Sequence, residues 1–193
     1  GVDIASESSG IVMAKETVRT VDLARIGFGH AVAVTQLQMA SVYAKITTGN
    51  DITPHLIDHI STEKGKILYK HNASKTKIKL KNETIKTINM MLSNNVNSEQ
   101  KLTFVAGHNI GGKTGTAQKY DETGKIASGK YISSFIGTYP ADNPQYVFIV
   151  CVNEPSAGAY YGGVVAKPIG AKVFSRIFET KAIQPTDANE LNN

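Results

Sequence analysis

The sequence holds a single cysteine, Cys151, set inside an apolar run, so no disulfide framework is possible and its thiol content does not fix a compartment. It has no apolar run near the ~20 residues that a membrane-crossing helix needs. No leader-like segment opens it, and Gly1 starts in loop-like sequence, so the chain is expected to be a piece of something longer. Acidic residues are scarce in one place. Lys64, Lys66, Lys70, Lys75, Lys77, Lys79 and Lys81 are opposed there only by Glu63. Tyr69 is the sole aromatic among them, which reads as a solvated hairpin and excludes a nucleic-acid site; an anionic surface is the weaker option. Histidines are few and scattered at His30, His71 and His108. His55 and His59, if on one strand, sit ~13 Å apart, too far to share an ion. No metal and no organic cofactor is expected.

What is present describes one ordinary globular domain. The chain has 193 residues, 41% hydrophobic and 19% charged, enough for a real core. Thr35 and Gln38 have capping-box spacing ahead of a helix that stops at Gly49-Asn50. That helix is apolar nearly all round and is expected to be buried. Residues 52–60 and 67–69 read as hairpin strands turning at 63–66. Asn82 caps a second helix over 83–95, with Ile85, Ile88, Leu92 and Val96 on one face. Strands over 131–139 and 146–152 are joined by a short turn and so pair antiparallel. The latter is apolar without alternation and is expected to be central, covered on both faces. Val165, Ile169, Val173 and Ile177 mark a last helix, with Pro168 expected in its first turn. The fold class is therefore α+β, an antiparallel sheet flanked by helices, over residues 1–180 with a polar tail at 181–193. No internal repeat is present.

One stretch carries chemistry: Gly111-Gly112-Lys113-Thr114-Gly115-Thr116-Ala117-Gln118-Lys119. Counted back from Lys113, Gly107-x-x-x-x-Gly112-Lys113-Thr114 fits a phosphate-cradling P-loop. Such a loop must feed straight into a helix. Here Gly115 and Thr116 follow, which favours an extended strand, and no aspartate closes the later apolar strand to hold magnesium. The strand reading wins. On a strand, Gly115 leaves room for a peptide-like ligand to pair with the backbone. Lys113 supplies a cation, the hydroxyls of Thr114 and Thr116 can bind a carboxylate, and the Thr116 N–H can face a developing oxyanion.

Four segments, in order, resemble the transpeptidase domain of class B penicillin-binding proteins. They are Gly27-Phe28-Gly29-His30 with Val34-Thr35-x-Leu37-Gln38; Gly112-Lys113-Thr114-Gly115-Thr116-Ala117, the third motif of that family; Ala141-Asp142-Asn143-Pro144 with Asn153-Glu154-Pro155; and Tyr161-Gly162-Gly163-Val164-Val165-Ala166-x-Pro168. The match runs from Gly1 to about Phe178. It departs from the family at Ala31, Gln36, Asn153 and Ala5-Ser6, which bear on local turn geometry.

The resemblance implies a β-lactamase/transpeptidase-like fold, present here as a partial domain. It also implies a serine-type peptidoglycan D,D-transpeptidase on the outer face of the bacterial cytoplasmic membrane. Its partners would be the peptidoglycan stem peptide, β-lactam antibiotics, the remainder of its own domain and other cell-wall synthesis proteins. Lys113, Thr114, Gly115 and Thr116 would be its catalytic and substrate-binding residues. A β-lactam sensor or inactive scaffold of the same fold, a serine β-lactamase and the P-loop protein are the competing readings. The family's nucleophile lies in Ser-x-x-Lys and its second motif is Ser-x-Asn, both ahead of the region resembling Gly1. Ser61-x-x-Lys64, Ser74-x-x-Lys77, Ser98-x-x-Lys101 and Ser93-Asn94-Asn95 imitate them. All sit in polar or helix-end sequence, where a lysine stays protonated and cannot act as base. This chain alone is therefore expected to be inactive.

Overall fold

A computed structural model describes residues 2–3, 5–72, 76–97, 105, 107–123 and 125–181. Its helices begin and end on local chemistry. After the short α1 (Thr20–Gly27), α2 (Gln36–Thr48) opens on the capping box. The Thr35 Oγ1 accepts the Gln38 N–H at 3.1 Å, and the Gln38 side chain accepts the Thr35 N–H at 2.9 Å. It closes on Gly49 in the left-handed region at φ 74°, a conformation that costs glycine nothing. α3 (Asn82–Asn97) lies beside α2, tied by the buried Asn89, whose Nδ2 donates to the Thr47 carbonyl at 3.0 Å.

Two sheets form. β1 (His59–Ser61) and β2 (Ile67–Lys70) make an antiparallel hairpin. Residues 52–58 are not part of it, contrary to expectation. Pro54 can donate to no ladder, and the N–H groups of Leu56 and Ile57 go instead to the Asp3 carboxylate at 2.7 and 3.0 Å. His55 consequently stacks on His71, ring centres 3.6 Å apart, and has no strand geometry relating it to His59.

The main sheet runs β3 (Gly111–Tyr120), β4 (Ile126–Tyr139) and β5 (Tyr146–Asn153), antiparallel throughout, in the order β3-β4-β5. The central strand is thus β4 and not the more apolar β5, which is an edge strand among the described residues and only half-buried. Cys151 on it is exposed. Cover decides this placement: α4 (Gly162–Lys181) lies mainly across β4 and reaches β5, which α2 also meets. For the same reason α2 is half-exposed and not buried. Of its residues only Thr47 is buried, and Val42 is 50% exposed.

The core is aromatic. Phe174 and Phe178 of α4 meet Tyr139 of β4 and Phe148 of β5, with Phe174 set edge-on to Phe148 at 4.2 Å and Phe178 4.4 Å from Tyr139. These rings set the rotation of α4. Its buried side is Ala166, Lys167, Gly170, Phe174 and Phe178, and Ile169 and Val173 face outward. Pro168 falls in the second turn, where it forfeits the bond to the Val164 carbonyl; packing beyond it keeps the helix running.

Candidate functional site

Lys113 stands on β3, an edge of the sheet among the described residues, opposite Ile136 of β4. A helix does not begin at Thr114, so the phosphate-loop reading is overturned. Side chains alternate across a strand, which puts Lys113 and Gly115 on one face and Gly112, Thr114 and Thr116 on the other. The first face is open at Lys113, whose Nζ, among the described residues, donates only to the neighbouring Thr114 carbonyl at 3.1 Å. The second is held against α4.

That hold is a close backbone approach. Gly162 opens α4 directly over β3 and β4: a Cβ at this position would lie 2.3 Å from the Gly115 carbonyl oxygen and 2.5 Å from that of Ser134. The Gly162 N–H donates to the Thr116 Oγ1 at 2.9 Å. The Thr116 hydroxyl is therefore already used as an acceptor in joining β3 to α4. It keeps its own O–H to donate. Beside it the Ser133 hydroxyl, fully buried, donates to the Tyr160 carbonyl and fixes the segment leading into α4. Gly115 is constrained from the other side too, since a Cβ there would meet the Ser134 Oγ at 2.6 Å. These contacts fix Gly115 and Thr116 in position while Lys113 remains exposed. An edge strand of this kind can take an extended peptide through its main chain, with a cation at the paired end.

Charge gathers at the far end of β3. Glu154, just past β5, takes an ion pair from Lys119 and a longer one, 3.7 Å, from Lys130. The Lys119 hydrogen bond holds its carboxyl below the ordinary carboxylate range. Tyr131 and Tyr160 stack at 4.0 Å, and Tyr160 reaches the Tyr161 hydroxyl at 3.2 Å. That bond pushes the Tyr160 phenol up to about 12. The Cys151 thiol, on an exposed residue, is pushed up by partial desolvation. Among the described residues, no three His, Cys, Asp or Glu side chains converge as metal ligands would.

Sequence reasoning brought Lys113, Thr114, Gly115 and Thr116 together correctly as one strand. It did not single out Ser133, the Gly162 contact or the tyrosine shelf. Two adjacent serines, Ser133-Ser134, between the apolar Ile132 and Phe135-Ile136 and opposite Gly115 and Thr116, were the available signal. The imitation motifs separate as well. Ser61 and Lys64 lie exposed on the hairpin. Ser93 is not at a frayed end but within α3, half-buried, donating to the Asn109 Oδ1 at 2.8 Å. Ser74 and Ser98 lie outside the described residues.

A family model described as the penicillin binding protein transpeptidase domain matches residues 1–175. Stage V sporulation protein D of Bacillus subtilis (strain 168) is 35% identical over 188 residues, covering 96% of this chain and 29% of that protein. Peptidoglycan D,D-transpeptidase FtsI of Escherichia coli (strain K12) is 28% identical over 183 residues, covering 94% of this chain and again 29% of the relative. The chain thus spans under a third of the length of these relatives. Among solved structures, penicillin-binding protein 3 of Mycobacterium tuberculosis complexed with ampicillin superposes with a TM-score of 0.81. The identity is 23%, and the match covers 97% of this chain and 44% of that one. The apo transpeptidase domain of Burkholderia pseudomallei penicillin-binding protein 3 gives 0.77 at 23% identity, covering 96% and 54%. At that identity the likeness concerns the fold alone.

Proposed function

The chain belongs to the penicillin-binding protein transpeptidase family, and from that premise we propose that it forms one wall of a serine D,D-transpeptidase site whose nucleophile is supplied by the rest of the parent protein. The serine oxygen attacks the carbonyl of a stem peptide ending in D-Ala-D-Ala, the terminal D-Ala leaves, and the acyl group passes to an amine of a neighbouring strand. Lys113 provides the positive charge next to the serine or the ligand carboxylate. Thr114 and Thr116 take the carboxylate, and the Thr116 N–H faces the oxyanion. β-Lactams acylate the same serine. The parent works on the outer face of the cytoplasmic membrane with other cell-wall synthesis proteins.

One observation carries this reading: Lys113 is exposed on a strand that is an edge among the described residues, and Gly115 and Thr116 of that strand are held by Gly162 from the α4 face, with the Ser134 hydroxyl against Gly115 from the other. A second supports the need for the remaining domain. Ile11, Val12, Leu23 and Phe28 are each 63–72% exposed, and among the described residues no strand pairs with the outer edge of β5. Apolar surface of that extent calls for cover. The test is labelling with fluorescent penicillin. The intact parent should label at one serine outside this chain, and the isolated chain should not label. A stoichiometric adduct on Ser61, Ser74 or Ser98 of the isolated chain would overturn the assignment.

A further inference from the structure

The β1–β2 hairpin has a use that the transpeptidase reading does not supply. Ile60 pairs with Tyr69 across the hairpin and Ser61 with Ile67, the ladder slipping by one residue at Leu68. Ile60, Tyr69 and Ile67 are exposed, at 48%, 45% and 55%, and the bulged Leu68 is 64% exposed. Two strands alone cannot bury such side chains. Around them the charge is mainly positive, opposed by Glu63 at the turn and by Asp58 just before β1, whose carboxyl is held low chiefly by His59 and also by Lys70. Lys64 and Lys66 stand at the turn, which Thr62 closes through its Oγ1 to the Lys66 N–H at 3.1 Å. Lys70 ends β2, and Lys77, Lys79 and Lys81 follow on the return segment, pinned to the end of α2 by the Ile78 N–H to Gly49 carbonyl bond of 3.0 Å. All six are exposed, and among the described residues no ion pair holds any of them. Lysines that merely protect a strand edge from aggregation need no apolar residues exposed between them.

We propose that this hairpin docks on an anionic lipid bilayer, its lysines among the headgroups and Ile60, Ile67, Leu68 and Tyr69 in the interfacial layer. Charge complementarity requires a negative partner, and the aliphatic side chains require one with apolar depth. A soluble polyanion lacks that depth. An acidic protein needs a shaped, well-packed surface, and a two-stranded ribbon with no groove offers none. The full chain, co-sedimented with vesicles, should bind an equal mixture of phosphatidylcholine and phosphatidylglycerol and not phosphatidylcholine alone, and salt should release it. Lys66→Glu/Lys70→Glu should lower the partition by at least about tenfold. Lys64→Gln/Lys79→Gln, a milder pair, should lower it independently, as should Ile67→Ser/Leu68→Ser. Lys86→Glu/Lys172→Glu, the same charge change on α3 and α4, should leave it intact. Equal binding to neutral vesicles, or equal loss in the α3/α4 variant, would overturn the proposal. So would capture by soluble polyglutamate that is indifferent to Ile67→Ser/Leu68→Ser.

Discussion

Gly162→Ala tests how tightly α4 governs the candidate site. The added Cβ would stand 2.3 Å from the Gly115 carbonyl oxygen and 2.5 Å from the Ser134 one. Both are backbone atoms of a paired ladder and cannot swing aside. A carbon meets a carbonyl oxygen comfortably beyond about 3.3 Å, so the start of α4 must lift by roughly 1 Å. That displacement stretches the 2.9 Å bond from the Gly162 N–H to Thr116 past useful range. Overpacking costs about 1–3 kcal/mol and the lost bond about 0.5–1.5 kcal/mol. Alanine returns up to ~1 kcal/mol of helix propensity. The net is a loss of about 0.5–4.5 kcal/mol. Gly163→Ala is the matched control, because its Cβ would meet nothing nearer than the Thr114 methyl at 4.0 Å. It should be neutral or stabilising. Urea unfolding followed by circular dichroism measures both. Equal stability for the two variants would refute the close-approach argument.

Lys113→Ala in the intact parent should slow β-lactam acylation by about 10²–10³ while leaving the unfolding midpoint in place; stopped-flow acylation rates within threefold of wild type would remove its role. Phe174→Ala deletes a ring only 1% exposed, touching Phe148 and Tyr139. It should cost about 3–5 kcal/mol in urea unfolding. His108 is 7% exposed, stacked on Phe178, and burial lowers its pKa below the ordinary histidine value. The unfolded chain then takes up the proton first, so this stability is present above about pH 6.5 and is lost as pH falls below it. His108→Gln should flatten the pH dependence in that window. The carboxylates held low, Asp3, Asp22, Asp58, Asp121 and Glu154, act only in more acidic solution.

The readable features were those fixed within a few residues. The Thr35–Gln38 box and Gly49 bound α2, because caps are local bonds between near neighbours. Gly115 after Thr114 was enough to separate a strand from a phosphate loop. Misreadings arose wherever burial depends on what lies opposite. The uninterrupted apolar run of β5 and the all-round apolar α2 both argued for full cover, yet Val42 is half-exposed and β5 is an edge. A sequence states that a surface wants a partner, and only the packing shows whether this chain provides one. α4 makes the point at finer scale. Val165, Ile169, Val173 and Ile177 are as helical a stripe as Ala166, Gly170, Phe174 and Phe178. The second faces inward because its shape fits the sheet: Gly170 lets the helix close on Phe135 and Phe148, where a Cβ would lie 2.7 Å from either ring, and Phe174 and Phe178 then pack edge-on and tilted against Phe148 and Tyr139. That choice of phase brings Gly162 over Gly115, and so the ring packing of the core, remote from Lys113, sets the position of the strand that presents it.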